Sequence, residues 1–300
     1  MRLVIALGGN ALLKRGEPLD AAVQQRNIAR AAGPIAEIAM QHEVVLTHGS
    51  GPQVGLLALQ ACAYEGTAAY PLDVLDAESE GMIGHLLELE LRNRLPEREI
   101  ATLLTQIEVA RDDPAFGHPT KPIGPCYGKL EAEALARERA WPMMPTEGGM
   151  RRAVASPEPR RILGMKTIVQ LLASGTVVIC AGGGGIPVAT DAAGRLHGVE
   201  AVIDKDLAAA LLARELNADT LLLLTDVDAV YLDWGAPQAR ALRGTHAPDV
   251  LRRHAFAPGS MGPKVEAACR FAESGGTAVI GLLEQAADML RGTTGTRIRR

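Results

Sequence analysis

Three charged residues, Asp204, Lys205 and Asp206, separate an apolar run that ends at Ile203 from an apolar helical stretch that begins at Leu207. Asp206 would be a good helix N-cap at such a junction, and a turn lysine such as Lys205 is usually solvated. At a strand end facing a ligand, however, the same residues would place a cation beside a bound anion. A solvated turn and a binding site therefore both stay open at this point.

Two more lysines have neighbouring residues that could place them beside a bound anion. Lys264 follows Ser260, which can cap a helix, and Pro263, which suits a first helical turn. A lysine near a helix start is unfavourable unless an anion lies nearby. Lys121 has prolines close on both sides that stiffen its backbone, although an exposed loop lysine is the alternative. Lysines around one anion, held by a carboxylate such as Asp206, suit phosphoryl transfer.

Three glycine clusters follow predicted strands, at Gly8-Gly9-Asn10, Gly49-Ser50-Gly51 and residues 182–185. Ligands of open α/β sheets bind beyond the carboxyl ends of the strands, and glycines let backbone N–H groups approach a phosphate. Each loop alone is as readily a tight turn, but three together predict an anion site lined by amides. No GxxxxGK[ST] loop and no convincing GxGxxG unit occur.

Composition narrows the class of protein. The chain has 300 residues, 47% of them hydrophobic, which is enough for a large core. A net charge of -4 offers no bulk attraction to nucleic acid or to an anionic membrane. The four dispersed cysteines predict reduced thiols, and the first apolar run is too short for a signal peptide. We expect a soluble, cytoplasmic protein without nucleic-acid or membrane partners.

Strands and helices alternate along most of the chain. Apolar runs predict strands over 3–7, 44–47, 100–105, 176–181, 199–203, 220–225 and 277–281, and helical stretches cover 20–41, 83–95, 161–174, 206–217 and 262–274. This alternation is typical of an α/β fold, an open αβα sandwich around a mainly parallel sheet. The proline-rich segment 111–160, with a short helix near 129–140, breaks the rhythm. We interpret it as a small protruding lid inserted in a single domain, 1–300.

Other catalytic arrangements find no support. The histidines are scattered, without the spacing of a metal site, and no GxSxG motif surrounds Ser50 or Ser260. The ten C-terminal residues, RGTTGTRIRR, are equally compatible with a final strand and with a frayed basic tail.

Taken together, the motifs resemble the carbamate kinase branch of the amino acid kinase family. The motifs are ALGGNAL (6–12), THGSGPQVG (47–55), GMIGH (81–85), PTKPIGPCYG (119–128), AGGGGIPV (181–188), GVEAVIDKDLAAALLA (198–213), LTDVDAVY (224–231) and GSMGPKVEAA (259–268). The resemblance spans nearly the whole chain. It implies an eight-stranded central sheet, a homodimer, and reversible Mg²⁺-dependent phosphoryl transfer between ATP and carbamate, usually running from carbamoyl phosphate toward ATP.

The resemblance also implies roles for individual residues. Lys205 and Lys264 would flank the transferred phosphoryl group, Asp206 would organise them, and Lys121 would reach in from the lid. The end that binds carbamate and phosphate would be cradled by Gly8, Gly9, Asn10, Gly49, Ser50 and Gly51. The nucleotide would be held by Asp204, Asp226, Tyr231, Met261 and Gly262.

Three positions depart from the pattern of the family. Ser50 stands where the family usually has Asn, Glu80 where it has Gln, and His85 where it has Tyr. These departures leave two alternatives open, a related phosphotransferase for another small acid and a non-catalytic sensor of nucleotide or carbamoyl phosphate. The intact lysines and Asp206 argue against the sensor, which would not need all of them.

Overall fold

A computed structural model describes residues 1–14, 16–64, 66, 68–146, 148–257 and 259–300, with every side chain in these ranges except that of Asn10. Its strands are β1 (Arg2–Leu7), β2 (Glu43–His48), β3 (Ile100–Thr102), β4 (Gln106–Val109), β5 (Lys121–Tyr127), β6 (Met143–Thr146), β7 (Gly149–Val154), β8 (Pro159–Ile162), β9 (Val177–Ile179), β10 (Ile186–Thr190), β11 (Leu196–Gly198), β12 (Thr220–Thr225), β13 (Val230–Leu232), β14 (Arg240–Leu242), β15 (Gly244–His246), β16 (Thr277–Leu282) and β17 (Thr296–Ile298).

The α-helices are α1 (Gly9–Leu12), α2 (Ala21–Ala39), α3 (Gly51–Ala63), α4 (Leu72–Arg94), α5 (Lys129–Arg139), α6 (Met165–Ala173), α7 (Lys205–Glu215), α8 (Pro248–Leu251), α9 (Met261–Glu273) and α10 (Ala286–Arg291). Short 3₁₀ turns lie at Pro114–Phe116, Gly182–Gly184 and Leu283–Gln285. Within the described ranges, none of these helices has the length and apolar character needed to cross a membrane.

The central sheet has eight strands in the order β15-β17-β16-β12-β1-β2-β9-β3, parallel throughout except that β17 runs against β16. Strand β1 shows why the sheet is covered on both faces. Val4 and Ala6 pack into the apolar layer of α6, α7 and α9, whereas Leu3 and Ile5 pack into the layer of α2, α4 and α10. Successive strand residues point to opposite faces, so the unbroken apolar run fills both layers. The predicted αβα sandwich is confirmed.

The register of the sheet gathers the glycine loops at one edge. Leu7 lies opposite His48 on β2 and Leu224 on β12. Ile179, the last residue of β9, lies opposite Leu46. The loops that follow β1, β2, β9 and β12 therefore open at the same carboxyl edge, where ligands of such sheets bind.

A second, three-stranded antiparallel sheet, β5-β7-β6, occupies the proline-rich segment, and α5 confirms the short helix expected there. It lies against α3 at Gly55. A Cβ added to Gly55 would be 1.9 Å from the Cα atom of Gly124 on β5, so only glycine allows this approach of helix and strand. A four-stranded sheet, β11-β10-β4-β8, completes the fold beside a two-stranded ribbon of β13 and β14.

Four element predictions need correction. Residues 199–203 form no strand, since only Ala201 makes an isolated bridge, to Ala155. The helix predicted over 161–174 begins at Met165, because β8 and Gly164, at φ 83°, precede it. The helix predicted from residue 83 begins at Leu72, and the strand predicted over 100–105 ends at Thr102. The C-terminal residues pair as strand β17 rather than forming a tail.

Candidate active site

Two lysines converge on one buried carboxylate. Lys205 Nζ donates to Asp206 Oδ1 at 2.5 Å, and Lys264 Nζ donates to Asp206 Oδ2 at 3.0 Å. Asp206 is 4% exposed and Lys264 is 9% exposed. The first turns of α7 and α9, which pack side by side, carry the three residues. Both oxygens of Asp206 are thus engaged, and the two ammonium groups are held together at the carboxyl edge of the sheet.

The electrostatics of this cluster are strongly coupled. Burial alone would raise the pKa of Asp206, but the two ammonium groups outweigh it and hold that pKa well below its ordinary value. Burial lowers the pKa of Lys205 to about 8, a shift that Lys264 increases and Asp206 opposes. For Lys264, the carboxylate of Asp206 outweighs burial and raises the pKa. The cluster therefore carries net positive charge at neutral pH, as an anion site requires.

Asp204 has a different partner. Its Oδ2 accepts from Lys121 Nζ at 2.6 Å, and its Oδ1 accepts from the backbone N–H groups of Asp206 and Leu207. The N-cap of α7 is therefore Asp204, not Asp206 as the capping interpretation had it. Burial opposes ionisation of Asp204, but the charge of Lys121 outweighs it and lowers the pKa of the carboxyl. Asp204 joins the start of α7 to strand β5.

The first two glycine loops touch each other and Lys205. A Cβ added to Gly49 would lie 3.1 Å from the backbone nitrogen of Gly9 and 3.3 Å from Cδ of Lys205. The Gly8 N–H donates to Leu224 O, and the Gly49 N–H donates to Leu7 O. A side chain at Gly49 would push the loops apart, so glycine keeps backbone amides beside the lysine. The structure brings these two loops together with Lys205, as the sequence predicted.

The remaining residues of this group lie nearby. Ser50 occupies the N-cap position of α3, and Gly51 begins that helix with Pro52 in its first turn, as expected. Ser50 is 1% exposed, and its Oγ has no hydrogen-bond partner among the described residues. The backbone of Asn10 lies in α1, but its side chain falls outside the described part of the chain.

The third glycine loop, Gly182–Gly184, is supported by groups that sequence reasoning did not assign. Glu80 Oε1 accepts from the Gly182 N–H at 2.8 Å, and Glu80 Oε2 accepts from the Thr105 N–H at 3.1 Å. Burial raises the pKa of Glu80 to about 8, although these hydrogen bonds oppose the shift. His48, fully buried beside Gly182, has its pKa lowered to about 4 by burial. Both residues support the loop, and neutral His48 adds no cation there.

Two of the sequence departures are thereby located. Glu80 holds the Gly182 backbone inside the protein, whereas His85, one turn further along α4, is exposed to solvent. The sequence could have indicated that Glu80 is buried. Its helical spacing from Leu72, Ile83 and Leu87 places this acidic residue on the buried stripe of α4. Ser260 stands at the N-cap position of α9, but its side chain makes no capping hydrogen bond, contrary to expectation.

The residues expected to hold a nucleotide are spread around the same edge. Asp226 follows β12 and lines a cavity of about 310 Å³ together with Lys14 and Arg30. Tyr231 lies on β13, where its hydroxyl donates to Asp228 and its ring packs edge-on against Trp234. Met261 and Gly262 begin α9, three and two residues before Lys264. Asp226 and Tyr231 thus follow the carboxyl end of β12, and Met261 and Gly262 share the first turn of α9 with Lys264.

The described residues do not form a resident metal centre. No three His, Cys, Asp or Glu side chains among them could hold an ion together. Both oxygens of Asp206 are occupied by ammonium groups. This arrangement fits a Mg²⁺ ion that arrives with nucleotide phosphates as part of the substrate, since Mg²⁺ is commonly held by phosphates with few protein ligands.

Comparisons with known proteins show which family the chain resembles. The model of the amino acid kinase family matches residues 1–281. A carbamate kinase of Haemophilus influenzae is 53% identical over 99% of this chain and 96% of its own length, and one of Pyrococcus horikoshii is 45% identical over 99% and 98%. The structure of Giardia lamblia carbamate kinase bound to AMP-PNP is 39% identical, with a TM-score of 0.89 over 99% of this chain and 98% of that one.

Proposed function

This chain belongs to the amino acid kinase family, within its carbamate kinase branch, and we propose that the Lys205–Asp206–Lys264 cluster is the centre of its phosphoryl transfer. The enzyme is a carbamate kinase in activity, interconverting ATP and carbamate with ADP and carbamoyl phosphate. The single observation that carries the assignment of the centre is that one buried carboxylate holds two lysine ammonium groups at the carboxyl edge of the sheet.

The proposed chemistry needs no covalent intermediate with the protein. A β-phosphate oxygen of ADP forms a bond to phosphorus as the bond from phosphorus to the carbamate oxygen breaks. Charge spreads over the transferred group, and the ammonium groups of Lys205 and Lys264 neutralise it. Asp206 keeps both lysines in place before substrate arrives, so little reorganisation is needed during transfer. When bound with the nucleotide, Mg²⁺ supplies further neutralisation of phosphate charge.

We assign the acceptor side to Lys121 and the glycine loops. Lys121 lies on β5, in the segment 111–160 that we propose as the lid, and reaches Asp204 at the start of α7. We propose that its ammonium group approaches the transferred phosphoryl group from β5, whereas that of Lys264 approaches from α9. Backbone amides of Gly8, Gly9, Gly49 and Gly51, with Asn10 and Ser50, would cradle the acceptor. The alternatives of another acid acceptor or a sensor are not favoured by the relatives.

The nucleotide side is proposed for the neighbouring strand ends. The proposal is supported by chain position: Asp226 and Tyr231 follow β12, and Met261 and Gly262 begin α9 just before Lys264. Asp204 is proposed to contact the nucleotide too, and because it also engages Lys121, we add a positioning role for it. The direction toward ATP, as in nitrogen or arginine catabolism, is proposed from the high transfer potential of an acyl phosphate.

A homodimer is proposed from an exposed apolar face of α4. Met82 and Leu89 on that face are 38% and 42% exposed, and Leu104 beside it is 59% exposed. Leu86 and the exposed His85 lie on the same face, at helical spacing. Light scattering on the purified chain tests this, with Leu89→Glu expected to shift the protein toward monomer. A wild-type monomer at micromolar concentration would contradict it.

A cytoplasmic location is proposed because all four cysteines are free thiols.

The activity is tested by ATP formation from ADP, Mg²⁺ and carbamoyl phosphate. We expect wild-type turnover, and a loss of about 10²–10³-fold in kcat/KM for Lys205→Ala, the scale of removing one partner of transition-state charge. Lys166→Ala is the matched control, because Lys166 lies beside Glu215, at the end of α7 opposite Lys205. Turnover of the Lys205 variant near that of wild type would remove this residue from the mechanism.

A further inference from the structure

Helix α4 carries a partly polar buried stripe, formed by Leu72, Leu75, Asp76, Ser79, Glu80 and Ile83. At its start, Leu72 and Leu75 pack with Ile123 on β5 and Val154 on β7. One turn later, Glu80 holds the Gly182 loop. Asp76 lies between these two contacts on the same stripe, between the three-stranded sheet that carries Lys121 and the third glycine loop.

Asp76 is an unexplained buried group. It is 3% exposed, and neither of its carboxyl oxygens has a hydrogen-bond partner among the described residues. Burial raises its pKa well above the usual range, the carboxylates of Glu80, Asp73 and Glu200 raise it further, and only Lys121 opposes. A carboxyl kept neutral offers one O–H donor and one C=O acceptor. Leaving both unused in the interior is costly, which points to a bound partner.

The neighbouring helix α3 adds a similar group. Gln53 lies in the first turn of α3, three residues after Ser50, and is 2% exposed. Its amide nitrogen and its amide oxygen both lack a hydrogen-bond partner within the part of the chain that is described. Because α3 packs beside α4, two buried side chains on adjacent helices each present an unused donor and an unused acceptor.

The proposed substrate needs such groups. A carbamoyl group carries a carbonyl oxygen, which accepts hydrogen bonds, next to an amino group, which donates them. Lysine ammonium groups only donate, and both oxygens of Asp206 are already occupied. Because each Asp206 oxygen is already bound to an ammonium group, the amino group is better matched by an acceptor outside the lysine cluster. Asp76 and Gln53 offer acceptors, each beside a donor, in the arrangement that pairs with an amide edge.

We propose that Asp76, assisted by Gln53, binds the O=C–NH₂ edge of the carbamoyl group and thereby selects carbamate over acids that lack an amino group. This inference rests on the proposed function and names the residues that recognise the acceptor. It concerns specificity, since phosphoryl transfer itself is carried out by the lysine cluster.

The experiment compares carbamoyl phosphate with acetyl phosphate, in which a methyl group replaces the amino group. The ratio of the two kcat/KM values, measured as ATP formation from ADP and Mg²⁺, reports recognition of the amino group. Asp76→Leu removes donor and acceptor at similar volume, and we expect the preference for carbamoyl phosphate to fall roughly ten-fold. Asp76→Asn keeps one donor and one acceptor, so its ratio should stay within about three-fold of wild type.

Ser79→Ala is the matched control. It removes a buried hydroxyl from the same stripe, one that donates to the backbone oxygen of Asp76, and should leave the ratio unchanged. If Asp76→Leu slows both substrates equally, Asp76 is structural and the proposal is overturned. The proposal is also overturned if the ratio falls as far in Asp76→Asn as it does in Asp76→Leu. If Asp76→Leu does not fold, Gln53→Leu must lower the ratio in its place, and an unchanged ratio in that variant overturns the proposal.

The underlying function can fail separately. A folded wild-type protein that makes no ATP from carbamoyl phosphate would overturn the proposed function, and this inference with it. Wild-type turnover of carbamoyl phosphate with an unchanged ratio in the Asp76 variants would leave the proposed function intact and overturn only the assignment of the acceptor subsite.

Discussion

Asp204 and Asp206 are two residues apart, yet they serve two different parts of the molecule. Asp206 is enclosed by Lys205 and Lys264, on helices that pack against each other in the main layer. Asp204 caps α7 and holds Lys121, which is carried by the separate three-stranded sheet. The cations assigned to phosphate are thus fixed in advance by the core, whereas the acceptor-side cation depends on a smaller sheet docked on the site.

The largest expected difference between the two aspartates is in stability. Asp206→Asn leaves two buried ammonium groups without their counter-charge, and we expect the free energy of unfolding to fall by about 3–5 kcal/mol. Asp204→Asn is the matched control. It should cost clearly less, because Asn caps a helix as well as Asp and the Lys121 ammonium group left unpaired is more exposed than those around Asp206. Urea denaturation of both variants measures this. Equal stability of the two variants would mean that Asp206 is not the electrostatic centre described.

A second test asks whether Lys121 acts on the acceptor rather than on the nucleotide, by measuring the kinetics for each substrate. Lys121→Ala should lower kcat/KM for carbamoyl phosphate about 10–100-fold through lost positioning of the acceptor. Its KM for ADP should stay near that of wild type, and its free energy of unfolding should fall less than that of Asp206→Asn, because the Lys121–Asp204 pair is more exposed than the Lys264–Asp206 pair. Steady-state kinetics with each substrate varied provide the measurement. A comparable rise in the KM for ADP would place Lys121 on the nucleotide side instead.

The smallest effect expected is a change in the pH dependence of kcat/KM when Lys205 is replaced. Burial lowers the pKa of Lys205 to about 8, and transfer needs its charged form. In the wild type, kcat/KM, which reports the free enzyme, should therefore fall as the pH rises through about 8. Lys205→Arg keeps its charge far above that pH, so its alkaline limb should disappear even where its rate is lower. Persistence of a limb near pH 8 in this variant would assign the titration to another group.

Local chemistry explains why much of the site was predictable. The candidate site uses glycines that follow β1 and β2 and lysines at the starts of α7 and α9. These positions are defined by neighbouring residues in the chain, so the sequence alone could indicate them. The strand predicted over 199–203 failed for the converse reason. Ala201, Val202 and Ile203 are buried, but Ala201 pairs only through an isolated bridge. An apolar run signals burial, and burial alone does not distinguish a paired strand from a packed crossing segment.

The sequence by itself determined the family, the αβα architecture, the strand-end glycines and the three lysines assigned to the site. Only the tertiary structure decided which aspartate serves which lysine, and that Gln53, Asp76 and Glu80 are buried polar groups beside the site. Lys121 and Asp204 are 83 residues apart, and Lys264 and Asp206 are 58 apart. Residue type shows what a charged or polar group can do, but its partner and its exposure are set by segments distant in the chain that packing brings to it.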